Sequence, residues 1–284
     1  MNQFEFYSRA NIESKEKIER ALFLSAVKQA YGYDFSQYSE SMLVRRLDVF
    51  KSKMNVKYLS ELIPMILYRK ELMDQLLFAL SITVTEFFRE PEFYSRFIEG
   101  VIPRLKTYPF ISLWCAGCAT GEEAFSWAIL LEESNLLDKA TIYATDINKE
   151  ALSFASKGRY KVAALPQAKD NYSKMGGKYN FENYLKIDGD YFEMLDRLKN
   201  KITFSSHNLS HDRVFSEMQV ISCRNVMIYF NKNLKDSCVS LFFESLTKSG
   251  YFCIGEKESI VRDDLSVDFI EVDRKFTIFK KISM

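Results

Sequence analysis

The feature that most constrains this chain of 284 residues is a regular alternation of strands and helices that starts near residue 110. Apolar runs predict strands at 111–117, 141–147, 201–209, 218–226 and 250–256. Helices are predicted between them, at 124–132, 149–157 and 234–248. Such alternation favours an α/β fold with a doubly wound, mostly parallel sheet. The last two apolar runs flank Asp273 and Arg274 and predict a hairpin that adds an antiparallel edge.

The chain in front of this alternation has a different pattern. Residues 15 to about 80 read as helices, and one apolar face is formed by Leu43, Leu47, Phe50 and Met54. We therefore predict an N-terminal helical domain over 1–80 and a second domain over 81–284. Polar, glycine-containing residues at about 161–200 interrupt the alternation and are interpreted as an insertion, in which 192–198 is a candidate short helix.

Composition narrows the class of protein. The chain has 39 basic and 38 acidic residues, a balance that disfavours a general nucleic-acid binder. The N-terminus is polar and charged, and the uncharged run at 75–85 is too short to cross a bilayer. The odd number of cysteines, five, indicates no disulfide framework. A cytoplasmic protein without membrane insertion is expected.

The segment WCAGCATGEEAF predicts a ligand-binding turn between a strand and a helix. Gly117 and Gly121 permit close approach of a ligand to the backbone at the carboxyl end of the first strand, where open α/β sheets bind ligands. Thr120 and Glu123 have the spacing of a capping box. A plain strand-to-helix turn would satisfy the glycine pair equally well.

An acidic residue at the end of the second strand strengthens the ligand hypothesis. Asp146 follows Gly121 by 25 residues, near the spacing at which a carboxylate accepts hydrogen bonds from ribose hydroxyls. The turn lacks the G-x-G-x-x-G pattern, and Glu122 and Glu123 would repel a pyrophosphate. These carboxylates suit a positively charged ligand, and S-adenosylmethionine carries an ammonium and a sulfonium.

Other residues near these strands have two interpretations each. Cys115 and Cys118 form a C-x-x-C pair that could serve metal or redox chemistry, although small apolar residues that pack a tight turn are favoured and no metal site is predicted. Arg89 beside Glu90 fits a surface ion pair. Arg224 and Asn225 fit simple packing, yet they lie where a parallel sheet meets its ligand crevice.

Five segments in this order resemble the motifs of the CheR family, the chemotaxis receptor glutamate methyltransferases. They are TVTEFFRE, CATGEEAFSWAILL, YATDINKEALSFASKGRY, HNL and SCRNVMIYF. Residues 31–47 are similar to the helical N-terminal domain of that family, so the likeness covers nearly the whole chain. It implies a class I S-adenosylmethionine methyltransferase fold with a small inserted β-subdomain.

The resemblance also implies roles for individual residues. Arg89 would lie near the methionine carboxylate and the transfer site, and Tyr229 near the transferred methyl, so these two are the catalytic candidates. Glu122 would hold the amino acid end of the cofactor and Asp146 its ribose or adenosine portion. The remaining cofactor-binding candidates are Thr83, Thr85, Arg89, Gly117, Asn208, Leu209, Arg224 and Asn225.

The chain departs from the family pattern at several positions. Thr83 stands where asparagine is usual, and Lys257 where serine is usual. In some members a glycine-rich loop of the β-subdomain grips a peptide from the receptor's C-terminus. The corresponding segment here, NYSKMGGKYNFENYLKIDGD, has a different pattern. The sequence therefore does not establish whether this chain binds such a peptide.

The expected function is methyl transfer from S-adenosylmethionine to glutamate side chains of chemoreceptors, with S-adenosylhomocysteine as product. Residues 41–57 carry a surplus of four positive charges and could dock the acidic receptor helices through Arg45, Arg46, Lys51 and Lys53. Alternatives are an S-adenosylmethionine-binding regulatory or sensor protein without transfer activity, and a carboxyl methyltransferase for a non-receptor protein.

Overall fold

The computed structural model describes residues 3–80, 85–215, 217–260, 269–273 and 275–282, with side chains from residue 14 onward. These residues form two compact units. The first contains the described residues up to 80 and also Tyr229–Leu234. The second contains the other described residues. The sequence pattern did not indicate that 229–234 would belong with the N-terminal helices.

The first unit is built from helices. They are α1 (Gln3–Tyr31), α2 (Glu40–Lys53), α3 (Leu62–Tyr68) and α4 (Lys70–Leu80). The predicted apolar face of α2 is confirmed, because Leu43, Leu47 and Phe50 are all buried. Tyr229–Leu234 joins this unit by backbone hydrogen bonds from Ser39 N to Tyr229 O (2.8 Å) and from Asn231 N to Gln37 O (2.8 Å).

The second unit is organised around a seven-stranded sheet. Its strands are β1 (Ile111–Ala116), β2 (Ala140–Asp146), β6 (Ile202–Ser206), β7 (Met218–Cys223), β8 (Leu246–Ile254), β9 (Phe269–Asp273) and β10 (Ile278–Lys281). Their order is β6-β2-β1-β7-β8-β10-β9. The pairs β6-β2, β2-β1, β1-β7 and β7-β8 are parallel, which confirms the doubly wound, mostly parallel sheet.

The predicted terminal hairpin is also confirmed. β10 runs antiparallel to β8, and β9 runs antiparallel to β10. The chain leaves β1 toward β2 and β6, then returns to β7 on the other side of β1. The sheet therefore changes direction at β1, and the carboxyl ends of β1, β2 and β7 are where such a sheet binds ligands.

Helices flank the sheet. They are α5 (Pro91–Gly100), α6 (Ile102–Leu105), α7 (Glu122–Glu133), α8 (Lys149–Lys157) and α11 (Lys232–Ser245). The caps of α8 explain its bounds, since Asn148 Oδ1 accepts from Ala151 N (3.1 Å) and Gly158 ends the helix at φ 59°. Around α7 the core is aromatic, with Trp127 packed edge-on against Phe97 at 4.7 Å between ring centroids.

The insertion forms a small antiparallel sheet, as the resemblance implied. Its strands β3 (Arg159–Lys161), β4 (Leu185–Asp188) and β5 (Tyr191–Met194) are ordered β3-β5-β4. Helices α9 (Leu165–Lys174) and α10 (Asp196–Lys199) accompany it. The candidate helix over 192–198 is wrong, because Phe192 belongs to β5 and α10 starts at Asp196. Similarly, β8 begins at Leu246 and ends the preceding helix earlier than predicted.

In the described part of the chain, no helix combines the length and the apolar character needed to cross a bilayer.

Candidate functional site

The turn between β1 and α7 is the best defined part of the predicted site. Gly117 (φ 77°), Ala119 (φ 47°) and Gly121 (φ 93°) all have left-handed backbone conformations. A Cβ atom on Gly117 would lie 2.5 Å from Val226 Cγ2, so the turn requires glycine there. Two N–H groups, those of Gly117 and Cys118, donate to Thr145 O at 2.7 and 2.9 Å and fix the turn to β2.

The capping box predicted for Thr120 and Glu123 is wrong. Gly121 is the N-cap of α7 and makes no side-chain cap. Thr120 Oγ1 instead donates to Glu122 Oε2 at 2.6 Å. Glu123 turns into the core, where its Oε1 accepts from Ser222 Oγ at 2.6 Å.

Glu122 is a carboxylate with spare hydrogen-bonding capacity at the start of α7. Burial raises its pKa to about 7, and the hydrogen bond from Thr120 opposes this shift. No cation from the described residues pairs with it. A ligand that brought a positive charge to this carboxylate would stabilise its ionised form.

Asp146 lies at the end of β2 and holds the glycine turn. Its Oδ2 accepts from Ala119 N (2.9 Å) and its Oδ1 from Asn148 N (2.8 Å). Burial nevertheless raises the pKa of this carboxyl group. Each carboxylate oxygen has a second lone pair, so Asp146 can still accept hydrogen bonds from a ligand.

The segment after β6 adjoins the end of β2. His207 N donates to Asp146 O at 3.2 Å, which places the predicted Asn208 and Leu209 beside this edge. The side chain of Asn208 accepts from Ser210 N (3.0 Å) and Ser210 Oγ (2.7 Å) and thereby shapes a tight turn. The imidazole of His207 is 7% exposed and packs edge-on against Trp114, which lowers its pKa by burial.

Arg224 directly follows β7, as expected, and its side chain is enclosed by protein groups. Its side chain is 0% exposed, so it offers no surface to a ligand. The guanidinium donates to Glu90 Oε2 (2.8 Å), Arg89 O (2.8 Å) and Tyr94 Oη (3.2 Å), and it lies 4.0 Å from the centroid of Phe93. These contacts tie the end of β7 to α5, a positioning role that the sequence pattern did not separate from ligand contact.

Glu90 therefore pairs with Arg224. The predicted surface ion pair between Arg89 and Glu90 is not present among the described residues. Glu90 also accepts from Asn225 Nδ2 at 3.2 Å. Burial opposes its ionisation, but Arg224 and Asn225 outweigh that cost and lower its pKa.

Asn225 has a left-handed conformation (φ 60°) and follows directly on Arg224. Its N–H donates to Glu258 Oε2 at 2.7 Å, and Ile228 N donates to Glu258 Oε1 at 3.1 Å. Glu258 is 8% exposed, and burial raises its pKa despite these backbone donors. The sequence analysis missed Glu258, although a glutamate right after a buried strand was a usable signal.

Arg89 is presented by a strained turn. Phe88 (φ 51°) and Glu90 (φ 58°), on either side of it, both have left-handed conformations. Phe87 and Phe88 are buried, whereas Arg89 is half-exposed. The guanidinium of Arg89 makes no hydrogen bond or ion pair with the described residues. Thr85 is half-buried just before this turn. Thr83 lies outside the described residues.

Tyr229 belongs to the first unit. It ends a short 3₁₀ helix (Met227–Tyr229), and its ring packs against the apolar core of the helices. The structure thus places the other described candidates in the second unit and Tyr229 in the first.

The cysteine pair has an unreactive environment. Cys115 and Cys118 are both buried free thiols, and burial raises the pKa of each well above the ordinary value. Within the described segments no cluster of three or more metal-ligating residues occurs.

The predicted docking helix is α2. Arg45, Lys53 and Lys57, just after it, are exposed, while Arg46 and Lys51 are half-buried. Lys51 Nζ lies 3.1 Å from Asp48 Oδ1, so part of its charge is compensated. The fully exposed positive charges of this segment are therefore those of Arg45, Lys53 and Lys57.

The geometry of this edge can be compared with known proteins. Residues 83–276 match the CheR methyltransferase, SAM binding domain, and residues 18–81 match the CheR methyltransferase, all-alpha domain. The chain belongs to the CheR methyltransferase family. It is accordingly an S-adenosylmethionine-dependent methyltransferase of the chemotaxis type. The predicted cofactor is confirmed by this match.

Comparison with individual proteins supports the same family. The Cher3 protein of Pseudomonas putida is 39% identical over 269 residues, which cover 95% of this chain and 98% of the relative. The chemotaxis protein methyltransferase of Borreliella burgdorferi is 28% identical and covers 95% of this chain and 96% of its own. That of Listeria monocytogenes is 28% identical over 84% of this chain and 89% of its own.

Proposed function

We propose that this protein transfers a methyl group from S-adenosylmethionine to glutamate side-chain carboxylates of chemoreceptors. The observation that carries the proposal is the group formed by Glu122, Asp146 and the glycine turn at the carboxyl ends of β1 and β2, which we call the cofactor cradle. There the half-buried Glu122 has no cation from the described residues beside it, and Asp146 retains free lone pairs next to a backbone turn that needs glycine. The names of two relatives, chemotaxis protein methyltransferases, support the class of substrate.

In this proposal each residue of the cradle binds a different part of the cofactor. Glu122 would take the ammonium group, Asp146 the ribose hydroxyls, and Asn208 and Leu209 the adenine. Thr83, Thr85 and Arg89 would face the methionine end. The cofactor supplies a methyl group that its sulfonium activates, so the protein has to bind, orient and exclude water.

The chemistry of a glutamate nucleophile fits this set of side chains. A carboxylate with a reference pKa near 4.3 is already ionised at neutral pH, so no general base is required. His207 is enclosed by aromatic rings, and His211 is exposed on a loop. Arg89, whose guanidinium has no partner among the described residues, would hold the incoming carboxylate by hydrogen bonds. Tyr229 stays the second catalytic candidate on the family resemblance alone. Correct alignment of carboxylate, methyl and sulfur would then supply most of the acceleration.

Receptor docking would use the exposed charges of α2. Glutamate-rich receptor helices are acidic, and Arg45, Lys53 and Lys57 offer complementary charge. A receptor substrate of this kind would place the protein in the cytoplasm. Reversing two charges, Arg45→Glu with Lys53→Glu, should slow receptor methylation severalfold at low salt and less at high salt. The same reversal at Lys15 and Lys17 of α1, which are also exposed, is the matched control and should change little.

The experiment that tests the function is incubation with methyl-labelled S-adenosylmethionine and receptor-containing membranes, followed by mild alkali. Label on the receptors that alkali releases as methanol would demonstrate carboxyl methylation. Bound cofactor without any transfer to a panel of cognate receptors would contradict the proposal and favour a sensor protein. Label on another protein would favour a non-receptor substrate.

A further inference from the structure

The inserted sheet reaches the cofactor cradle through one side chain. Tyr160, in the middle of β3, directs its hydroxyl at the glycine turn and donates to Thr120 O at 2.9 Å. Thr120 in turn donates through its side chain to Glu122. A chain of two hydrogen bonds therefore runs from the inserted sheet to the carboxylate that would take the ligand's ammonium.

The ring of Tyr160 is held firmly. It is 3% exposed and packs against Phe87 at 5.0 Å and Phe192 of β5 at 5.6 Å between centroids. Phe154 and Phe125 contact it at 5.7 and 6.2 Å. Because aromatic neighbours enclose the ring, the position of its hydroxyl is set by the inserted sheet.

The turn is also packed tightly against this hydroxyl. A Cβ atom at Gly121 would lie 3.2 Å from Tyr160 Oη and 2.8 Å from Ala155 Cβ. A shift of β3 would therefore move the turn, or open a gap beneath it. Close packing of this kind transmits displacement because a folded interior is hard to compress.

We propose that Tyr160 is a positioning residue for the cofactor turn, and that through it the inserted sheet controls how Glu122 meets the ligand. The proposal rests on the placement of the cofactor at Glu122 given under the proposed function. It assigns to the insertion a task inside the methyl-transfer site, independent of any peptide that the insertion binds.

The test compares two tyrosines of the inserted segment. Tyr160→Phe removes the hydroxyl and keeps the ring. Tyr184→Phe is the matched control, because Tyr184 is equally buried (2% exposed) but donates to Glu133 Oε1 at 2.7 Å, at the other end of α7. The measurements are the affinity for S-adenosylhomocysteine by calorimetry at several pH values, and the stability of the ligand-free protein in denaturant.

We expect Tyr160→Phe to weaken binding about threefold to tenfold, the range for one hydrogen bond, and Tyr184→Phe to leave it unchanged. The pH at which affinity is half-maximal should also rise in Tyr160→Phe, because a loosened Thr120 no longer stabilises ionised Glu122. Two other titratable groups interact with Glu122, namely Tyr160 and Cys118. Both stay neutral in this range because burial raises their pKa values. Thr120→Val should reproduce the pH shift and serves if Tyr160→Phe does not fold.

Three outcomes would overturn the inference. Wild-type affinity in Tyr160→Phe would show that the hydroxyl does not position the turn. Equal weakening in both tyrosine variants would indicate general loosening of the inserted segment. Weaker binding with an unshifted pH profile would exclude the route through Thr120. A wrong placement of the cofactor gives a result distinct from these three. In that case the Glu122→Gln variant would bind S-adenosylhomocysteine as tightly as wild type.

Discussion

The carboxyl edge of the large sheet has two halves, the ends of β1 and β2 and the ends of β7 and β8. Their charged side chains are compensated in different ways. At the ends of β1 and β2, Glu122 and Asp146 retain unused hydrogen-bonding capacity beside a turn built from left-handed residues. At the ends of β7 and β8, Arg224 and Glu258 direct their charges to protein groups, and Glu90, just before α5, pairs with Arg224. On the proposed function the first half receives the ligand, whereas the contacts of the second half hold the backbone.

This difference shows that a charged residue at the carboxyl edge of a sheet is not necessarily a ligand contact. Burying a charge is costly unless hydrogen bonds or an opposite charge compensate it. In the second half that compensation comes from within the protein. In the first half it remains incomplete, and a ligand with an ammonium and hydroxyl groups would complete it.

The largest expected effect is the loss of stability on removing Arg224. Arg224→Met would leave Glu90 and Glu123 without their buried cation and should destabilise the protein by about 3–5 kcal/mol. Arg96→Met, which breaks an exposed pair with Glu99, is the control and should cost about 0–1 kcal/mol. Unfolding in urea measures both. Similar midpoints for the two variants would contradict the structural role of Arg224.

Replacing Arg89 should have the opposite effect to replacing Arg224, because it should reduce turnover and not stability. Arg89→Ala removes a half-exposed side chain without a partner among the described residues, so stability should hardly change. Turnover in the receptor assay should fall about 100-fold or more, as for the loss of one charged donor at a reacting group. A folded variant with wild-type turnover would show that the transfer site lies elsewhere.

Asp146→Asn tests the half of the edge that is formed by the ends of β1 and β2, where hydrogen-bonding capacity is unused. The amide keeps the shape of the side chain but removes the negative charge and one acceptor. A charged hydrogen bond is worth about 1.5–3 kcal/mol, so affinity for S-adenosylhomocysteine should fall roughly 10-fold to 150-fold. Glu258→Gln is the counterpart in the half formed by the ends of β7 and β8. It should lower stability with little direct effect on affinity, and an equal loss of affinity would remove the distinction between the two halves.

The effect that appears only when the pH is changed concerns the protonation of Glu122, whose pKa is raised by burial to about 7. A carboxyl with a raised pKa stabilises the fold below its ordinary value and loses that contribution as pH rises through about 7. The ligand-free Glu122→Gln protein should therefore match wild type at pH 5 and exceed its stability at pH 8. Conversely, affinity of wild type for the ammonium-bearing ligand should rise through pH 7, and this rise should disappear in Glu122→Gln. A stability difference that did not depend on pH would contradict the titration of Glu122.

Much of this architecture could be predicted from local pattern. The order of strands and helices, the burial of Leu43 and Leu47, and the glycine turn follow from apolar periodicity and from glycine's conformational freedom. Errors occurred where neighbours in space override local signals. Residues 192–194 belong to β5 because Phe192 packs in the aromatic core of the insertion, and α10 begins only at Asp196. Thr120 and Glu123 do not form a capping box because Ser222 and Trp127 draw Glu123 inward.

The sequence by itself determined the doubly wound sheet and its glycine turn, because these depend on apolar spacing and on glycine along the chain. Its ordered motifs resembled the family to which the comparisons assign it. Only the tertiary structure decided which of the charged residues are satisfied within the protein. Arg89 and Arg224 are both arginines next to the same edge. The guanidinium of Arg224 is enclosed by Glu90, Tyr94 and Phe93, whereas that of Arg89 has no such partner among the described residues. That distinction depends on contacts between residues more than 100 positions apart, which no local pattern encodes.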